Sequence, residues 1–187
     1  EYTEGIYVGY RYYVTRGMTD PNYKYEEEVQ YSFGHGLSYT TFDKWIESTT
    51  YNEETGKYEV VVRVKNTGNV PGKEVIELYC HAPYTGEIEK SYYSLTTFQK
   101  TSVIEPGETK GYQLEFSYRD IASWDSENGY YVCDAGEYEM SIRDNVWKQS
   151  VTEEPKASTS FKFNLEKQEF KTSYQTGVEY SKQFEIA

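Results

Sequence analysis

Ser32–Phe42, SFGHGLSYTTF, is a glycine-bracketed turn that runs straight into a stretch suited to a β-strand. Gly34 and Gly36 supply backbone freedom, so the reading expects a reversal around His35 and Leu37 before Tyr39, Thr40, Thr41 and Phe42 extend. The stretch reads as a hinge between two structures. The chain downstream of it has the alternation of a β-sandwich, and the chain upstream alternates only loosely.

From Thr41, strand-like segments recur at regular intervals, each bounded by turn residues. Thr41–Glu47 is the first. Lys57–Lys65 sets Val60, Val62 and Val64 against Val61, Arg63 and Lys65, the pattern of a half-buried antiparallel strand. Turns at Asn52–Gly56 and Asn66–Gly72 (NTGNVPG) flank it. Lys73–Cys80 places Ile76, Leu78 and Cys80 inward and Glu77 and Tyr79 outward. Ser91–Gln99 continues the sheet, and the EPG turn at Glu105–Gly107 leads into Lys110–Phe116, where Tyr112, Leu114 and Phe116 share one face. Arg119–Trp124 suits a short helical crossover. Gly129–Cys133 and Gly136–Ile142 are strands around the turn at Asp134–Gly136, and Lys156–Leu165, with Phe161, Phe163 and Leu165 in phase, closes the set. Seven or eight strands without a convincing amphipathic helix predict an all-β, immunoglobulin-like sandwich.

Upstream of the hinge, Glu1–Tyr13 is dense in tyrosine and reads as a strand whose rings pack on another layer. Val14–Gln30 combines Gly, Pro, Asn and an acidic triplet, so it reads as a mobile polar loop. Tyrosines left in water forfeit burial free energy, which favours contact of Glu1–Tyr31 with another polypeptide over packing on its own sandwich. The tail Glu166–Ala187 is polar with isolated aromatics and reads as a linker or strap.

The segments FGHGLSYTTF, VKNTGNVPGKEV, EPGET and AGEYEMSI stand in that order, preceded by EGIYVGYRYY. Together they resemble the C-terminal region of glycoside hydrolase family 3 enzymes, the β-glucosidases and β-xylosidases, over roughly residues 4–142. The loop TRGMTDPNYKY resembles members with permuted domain order, in which the barrel comes after the sandwich. The resemblance implies three parts. Residues 1–40 would be the end of an α/β sandwich domain with its connecting loop. Residues 41–165 would form a fibronectin type III-like β-sandwich, and 166–187 a linker or strap. It departs from the family at Val14, where Asp is common, and at Ser32, where Pro is common. The residues it sets at the domain junction are Tyr10, Arg11, Phe33, Gly34, His35, Gly36 and Tyr39. Trp45 joins them because it is out of phase with Phe42 and Ile46 and so belongs on the outer face of its strand.

At 187 residues the chain is too short for the catalytic barrel such enzymes need. A formal charge of -12 repels phosphate backbones and anionic membranes, and the apolar runs are far too short for a spanning helix. The two cysteines, Cys80 and Cys133, are expected as buried free thiols rather than a disulfide framework. Glycoside hydrolysis needs two carboxylates held across the scissile bond, and the family's Asp nucleophile motif has no match here. Glu26–Glu28, Glu53–Glu54 and Glu153–Glu154 sit in polar loops and read as solvated charge. His35 reads as a structural hydrogen-bonder and His81 as a solvent-facing strand end. No catalytic residue, metal site or cofactor is implied. The resemblance therefore implies an accessory domain whose partners are the α/β sandwich and catalytic barrel of the same enzyme. The alternative is an autonomous carbohydrate-binding module that takes an oligosaccharide on exposed aromatics, with Trp45, Trp124, Trp147, Tyr7, Tyr10, Tyr12 and Tyr13 as candidates.

Overall fold

In a computed structural model, which describes residues 3–180, Val60, Val62 and Val64 are fully buried, as their alternation requires. They lie on β2 (Lys57–Asn66), which pairs antiparallel with β1 (Phe42–Asn52) on one side and β5 (Thr109–Ser117) on the other. The facing sheet has the order β4-β3-β8-β9, built from β3 (Val75–His81), β4 (Ser94–Lys100), β8 (Gly136–Arg143) and β9 (Ser160–Leu165). Side chains from both sheets meet in one core that includes Ile76, Leu78, Ile104, Leu114, Phe116 and Ile142. A smaller sheet, in the order β10-β7-β6, joins β6 (Ser123–Asp125), β7 (Tyr130–Cys133) and β10 (Gln168–Phe170). The expected crossover is a single 3-10 turn at Tyr118–Ile121, closed by Ser117 and Asp120 capping each other. Cys80 and Cys133 are both free and buried.

The turn motifs are tied together by Asn66, which is fully buried. Its carbonyl accepts from the Thr40 hydroxyl at 2.7 Å and the Gly68 N–H at 3.0 Å, and its amide donates to the carbonyls of Val70 and Ile104, each at 2.8 Å. All four of its hydrogen-bonding positions are used, as burial demands.

Two expectations upstream of the hinge are corrected. Residues assigned to a strand over Glu1–Tyr13 and a loop over Val14–Gln30 form α1 (Tyr10–Thr19) and the single turn α2 (Tyr25–Glu28); Glu1 and Tyr2 lie outside the described residues. Tyr10, Val14 and Gly17 recur at helical spacing, and that face lies on the sandwich. The reversal in the hinge is also displaced. The His35 N–H donates to the Ser32 carbonyl at 2.9 Å across Phe33 and Gly34, and only Gly34 takes a positive φ, of 87°. Gly36 has no positive φ and open space around it.

The described part of the tail lies on the domain. β10 adds to β7, and the Tyr180 N–H donates to the Lys171 carbonyl at 3.0 Å, while 181–187 lie outside the described residues.

Candidate functional site

β3 is the strand on which the hinge and the N-terminal segment converge. The sequence pattern set Glu77 and Tyr79 outward toward solvent, yet both are buried, so β3 is covered on two faces. The cover is a second cluster of Val14, Tyr25, Tyr79 and Val146, with Tyr10, Tyr23, Tyr93 and Trp147 at its margins. Val14 is fully buried in it. An Asp there would bury a carboxylate, so the departure from the family's common residue accompanies helix packing.

Aromatic stacking holds this cover in place. Tyr10 stacks on Phe33 with ring centroids 4.3 Å apart, and Tyr25 stacks on Trp147 at 4.1 Å. Gly17 is required beneath Trp147, because a Cβ there would come within 2.9 Å of the indole. Polar contacts then fix the position along the sheet. The Leu95 N–H donates to the Tyr10 hydroxyl at 3.2 Å, the Tyr92 N–H to Thr15 Oγ1 at 2.9 Å, and the Val146 N–H to the Phe33 carbonyl at 2.9 Å. Glu1–Tyr31 was expected to seek another polypeptide, and in its described residues it packs on its own sandwich instead.

Two buried charges lie under the cover. Arg143 donates to the carbonyls of Val146 at 3.1 Å and Trp147 at 2.9 Å, and its guanidinium lies 3.9 Å from the Tyr93 ring centroid. Burial lowers its pKa, with Tyr93 opposing. Glu77 accepts from the Tyr79 hydroxyl at 2.8 Å. Burial raises its pKa, and the Tyr79 hydrogen bond and Lys44 pull only part of the way back. Gly34 lies against this carboxylate so closely that a Cβ would collide with it. Nearby, Lys44 is buried between Glu74 at 2.6 Å and Asp144 at 3.0 Å. Burial works against its charge, yet the two carboxylates together outweigh burial and raise its pKa.

The structure brings Tyr10, Phe33 and Gly34 together at this face and leaves the other proposed junction residues apart. Arg11 is exposed on α1 and lines a separate cleft. His35 is exposed with its ring 5.4 Å from that of Tyr31, and Tyr39 is fully exposed. Trp45 stands opposite Arg63 on β1, in the other sheet, on the face away from the core and half-buried. His81 is not a free strand end. Its Nδ1 lies 2.7 Å from the Tyr92 carbonyl and its ring stacks on Tyr92 at 4.2 Å. The sequence did not single out Val14, Glu77, Tyr79 and Val146 for this face, and it offered Trp147 as a sugar-platform candidate. The Tyr10, Val14, Gly17 spacing was the available signal.

Among the described residues, no three His, Cys, Asp or Glu side chains gather as a metal site. The arrangement is one of packing and positioning: a two-sided β3, a pinned hinge and a helical cover.

Seven strands in a three-on-four sandwich define an immunoglobulin-type domain, and a family model described as a Fibronectin type III-like domain matches residues 74–146. Beta-glucosidase A of Butyrivibrio fibrisolvens is 36% identical over 165 residues, which is 78% of this chain and 19% of that protein. β-Glucosidase 3B from Thermotoga neapolitana, solved in complex with α-D-glucose, superposes with a TM-score of 0.70 at 35% identity, over 90% of this chain and 21% of that one. A β-glucosidase from Paenibacillus barengoltzii gives a TM-score of 0.73 at 34% identity, covering 90% and 18%. The chain thus spans about a fifth of the length of these relatives. It corresponds to the part of family 3 β-glucosidases that carries a fibronectin type III-like accessory domain.

Proposed function

We propose that this chain serves a β-glucoside-hydrolysing enzyme as the accessory region that fixes the α/β sandwich domain and the catalytic barrel relative to each other. Residues 1–40 close the α/β domain in this reading, 41–165 form the accessory sandwich, and 166–187 strap or lead onward. The chain catalyses nothing by itself.

The observation that carries the proposal is the free stretch of the hinge. Phe33 is held through its carbonyl by Val146 and Thr40 through its hydroxyl by Asn66, while between them Leu37 is 95% exposed and Tyr39 fully exposed. Large apolar side chains presented on a loop pinned at both ends form a surface made to be covered. Tyr31, 68% exposed, flanks it.

Sedimentation of this chain with a separately produced polypeptide carrying the barrel and α/β domains tests the reading. A one-to-one complex weakened by Leu37→Asp with Tyr39→Asp is expected. No complex with the hinge intact overturns it, and so does turnover of an aryl β-glucoside by this chain alone.

A further inference from the structure

A cleft of about 350 Å³ opens where the N-terminal segment meets the end of the sandwich, a size at the lower end of small-molecule sites. Its buried part is set by Cys80 and Ile121, and its solvent side by Trp124 and Tyr131. Between them the wall is mixed, with Ile6, Ala82, Leu95 and Ala122 as its apolar part. Ser94, Thr96 and Ser123 contribute hydroxyls, and Arg11, Glu89 and Asp120 contribute charge.

Three features point to a ligand. Thr96 Oγ1 is buried and finds no protein partner, which is costly for a hydroxyl that nothing else satisfies. Trp124 is 38% exposed yet held in place, with edge-to-face contacts to Tyr131 at 5.0 Å and Tyr180 at 5.4 Å. Arg11, beside it, makes no hydrogen bond, ion pair or ring contact among the described residues.

The charge pattern selects the ligand class. Lys90 is committed to the Asp134 carboxylate and the Ile88 carbonyl, Glu89 accepts from the Tyr7 hydroxyl, and Asp120 accepts from the Ser117 N–H and hydroxyl. One free guanidinium beside two carboxylates, in a chain of net charge -12, makes a poor anion site. Hydroxyls and charges interspersed among the apolar residues equally disfavour a wholly apolar guest. An aromatic platform with convergent hydroxyl, carboxylate and guanidinium groups suits a neutral ring that has one apolar C–H face and hydroxyls around its rim. A second cleft shares Asp120, Ala122 and Tyr131 with the first and adds Tyr174, Gln175 and Tyr180, so the surface continues for more than one ring.

We propose that this cleft is a binding site for a short neutral oligosaccharide, with Trp124 as the stacking platform and Thr96 and Arg11 as hydrogen-bond donors. It stands apart from the hinge surface and does not depend on the docking reading.

Titrating the full chain with cellobiose, xylobiose and laminaribiose tests it, by following the Trp124 indole N–H in two-dimensional NMR. A saturable shift with at least one disaccharide is expected. Trp124→Ala should weaken binding about tenfold or more, the equivalent of losing one stacked ring. Thr96→Val should weaken it severalfold without unfolding the chain, since it removes a hydroxyl that has no protein partner. Leu37→Asp should bind sugar like the parent, which keeps this test separate from the docking test. No saturable response to any of the three sugars overturns the proposal, as does binding that both cleft variants leave unchanged.

Discussion

The two faces of β3 are both buried, and they are buried by different physics. Ile76, Leu78 and Cys80 face the opposing sheet in a core of aliphatic and aromatic side chains that is all but closed to solvent. Glu77 and Tyr79 face a helix and a hinge, and there the contacts are stacked rings, a buried arginine and a carboxylate bonded to a phenol. The inner face is closed by the sheet-on-sheet packing that creates the domain. The outer face is closed by a helix and a hinge that lie outside both sheets, so it is the face expected to open locally first.

The comparison breaks most visibly if the inner face tolerates truncation. Leu78→Ala removes a fully buried side chain between two sheets that cannot collapse to fill the space, and a loss of about 2 to 5 kcal/mol is expected. Urea unfolding should show a lower midpoint with an unchanged slope. On the outer face, Val14→Asp puts an unpaired carboxylate into a fully buried position. If α1 detaches, the cost is capped by the free energy of helix docking. Hydrogen exchange should then show residues 10–28 losing protection while β2, β3 and β8 keep theirs. Loss of protection throughout would mean the two faces fold as one unit.

The inner face was legible because its period of two is a local property: Val60, Val62 and Val64 announce a buried side whatever lies above them. The same rule misassigned Glu77 and Tyr79, since alternation reports which side a residue takes and is silent on whether a second layer covers it. The seven sandwich strands were found, with bounds off by as much as five residues, at the end of β1. The helix was missed because the tyrosines and glycines of Glu4–Tyr13 argue locally for pleated structure and against a helix, and burial of Tyr10 and Val14 against β4 and the β8–β9 connection overrides that preference. The hinge was recognised through its glycines, yet only Gly34 needs the left-handed region. Which of two glycines makes the turn depends on the Glu77 carboxylate behind it, a partner far along the chain that no local pattern encodes.

Gly34 offers a sharper test of how the two layers are joined. Alanine there faces a φ of 87° and a collision with Glu77, and strain of roughly 1 to 3 kcal/mol is expected. Gly36→Ala, with no positive φ and nothing within 4 Å, should leave the thermal midpoint unchanged. Equal effects at the two glycines would return the reversal to His35 and Leu37.

The smallest effect expected comes from the carboxylate itself, and its sign is set by the direction of its pKa shift. Burial raises the Glu77 pKa above the ordinary value of 4.5, and the Tyr79 hydroxyl and Lys44 offset only part of the rise. An acid whose pKa is raised on folding favours the folded state while protonated. Its contribution is therefore complete below pH 4.5 and is lost as pH climbs through the folded-state value. Lys44 from β1, Glu74 just before β3 and Asp144 after β8 are the charged groups around it. Asp144 has the opposite shift: burial pushes its pKa up, but Lys44 and Ser150 outweigh burial and leave it lowered. Asp144 thus contributes to the acid limb, where stability falls as it protonates, and Glu77 contributes a decline as pH rises toward neutrality. Glu77→Gln keeps an acceptor for the Tyr79 hydroxyl and removes the ionisation. The variant should match the parent near pH 4 and exceed it at pH 7. Thermal unfolding at the two pH values reads the difference directly. A variant weaker than the parent at pH 7 would show that ionised Glu77 acts as a partner of Lys44, and the outer face would then be held by charge rather than by rings.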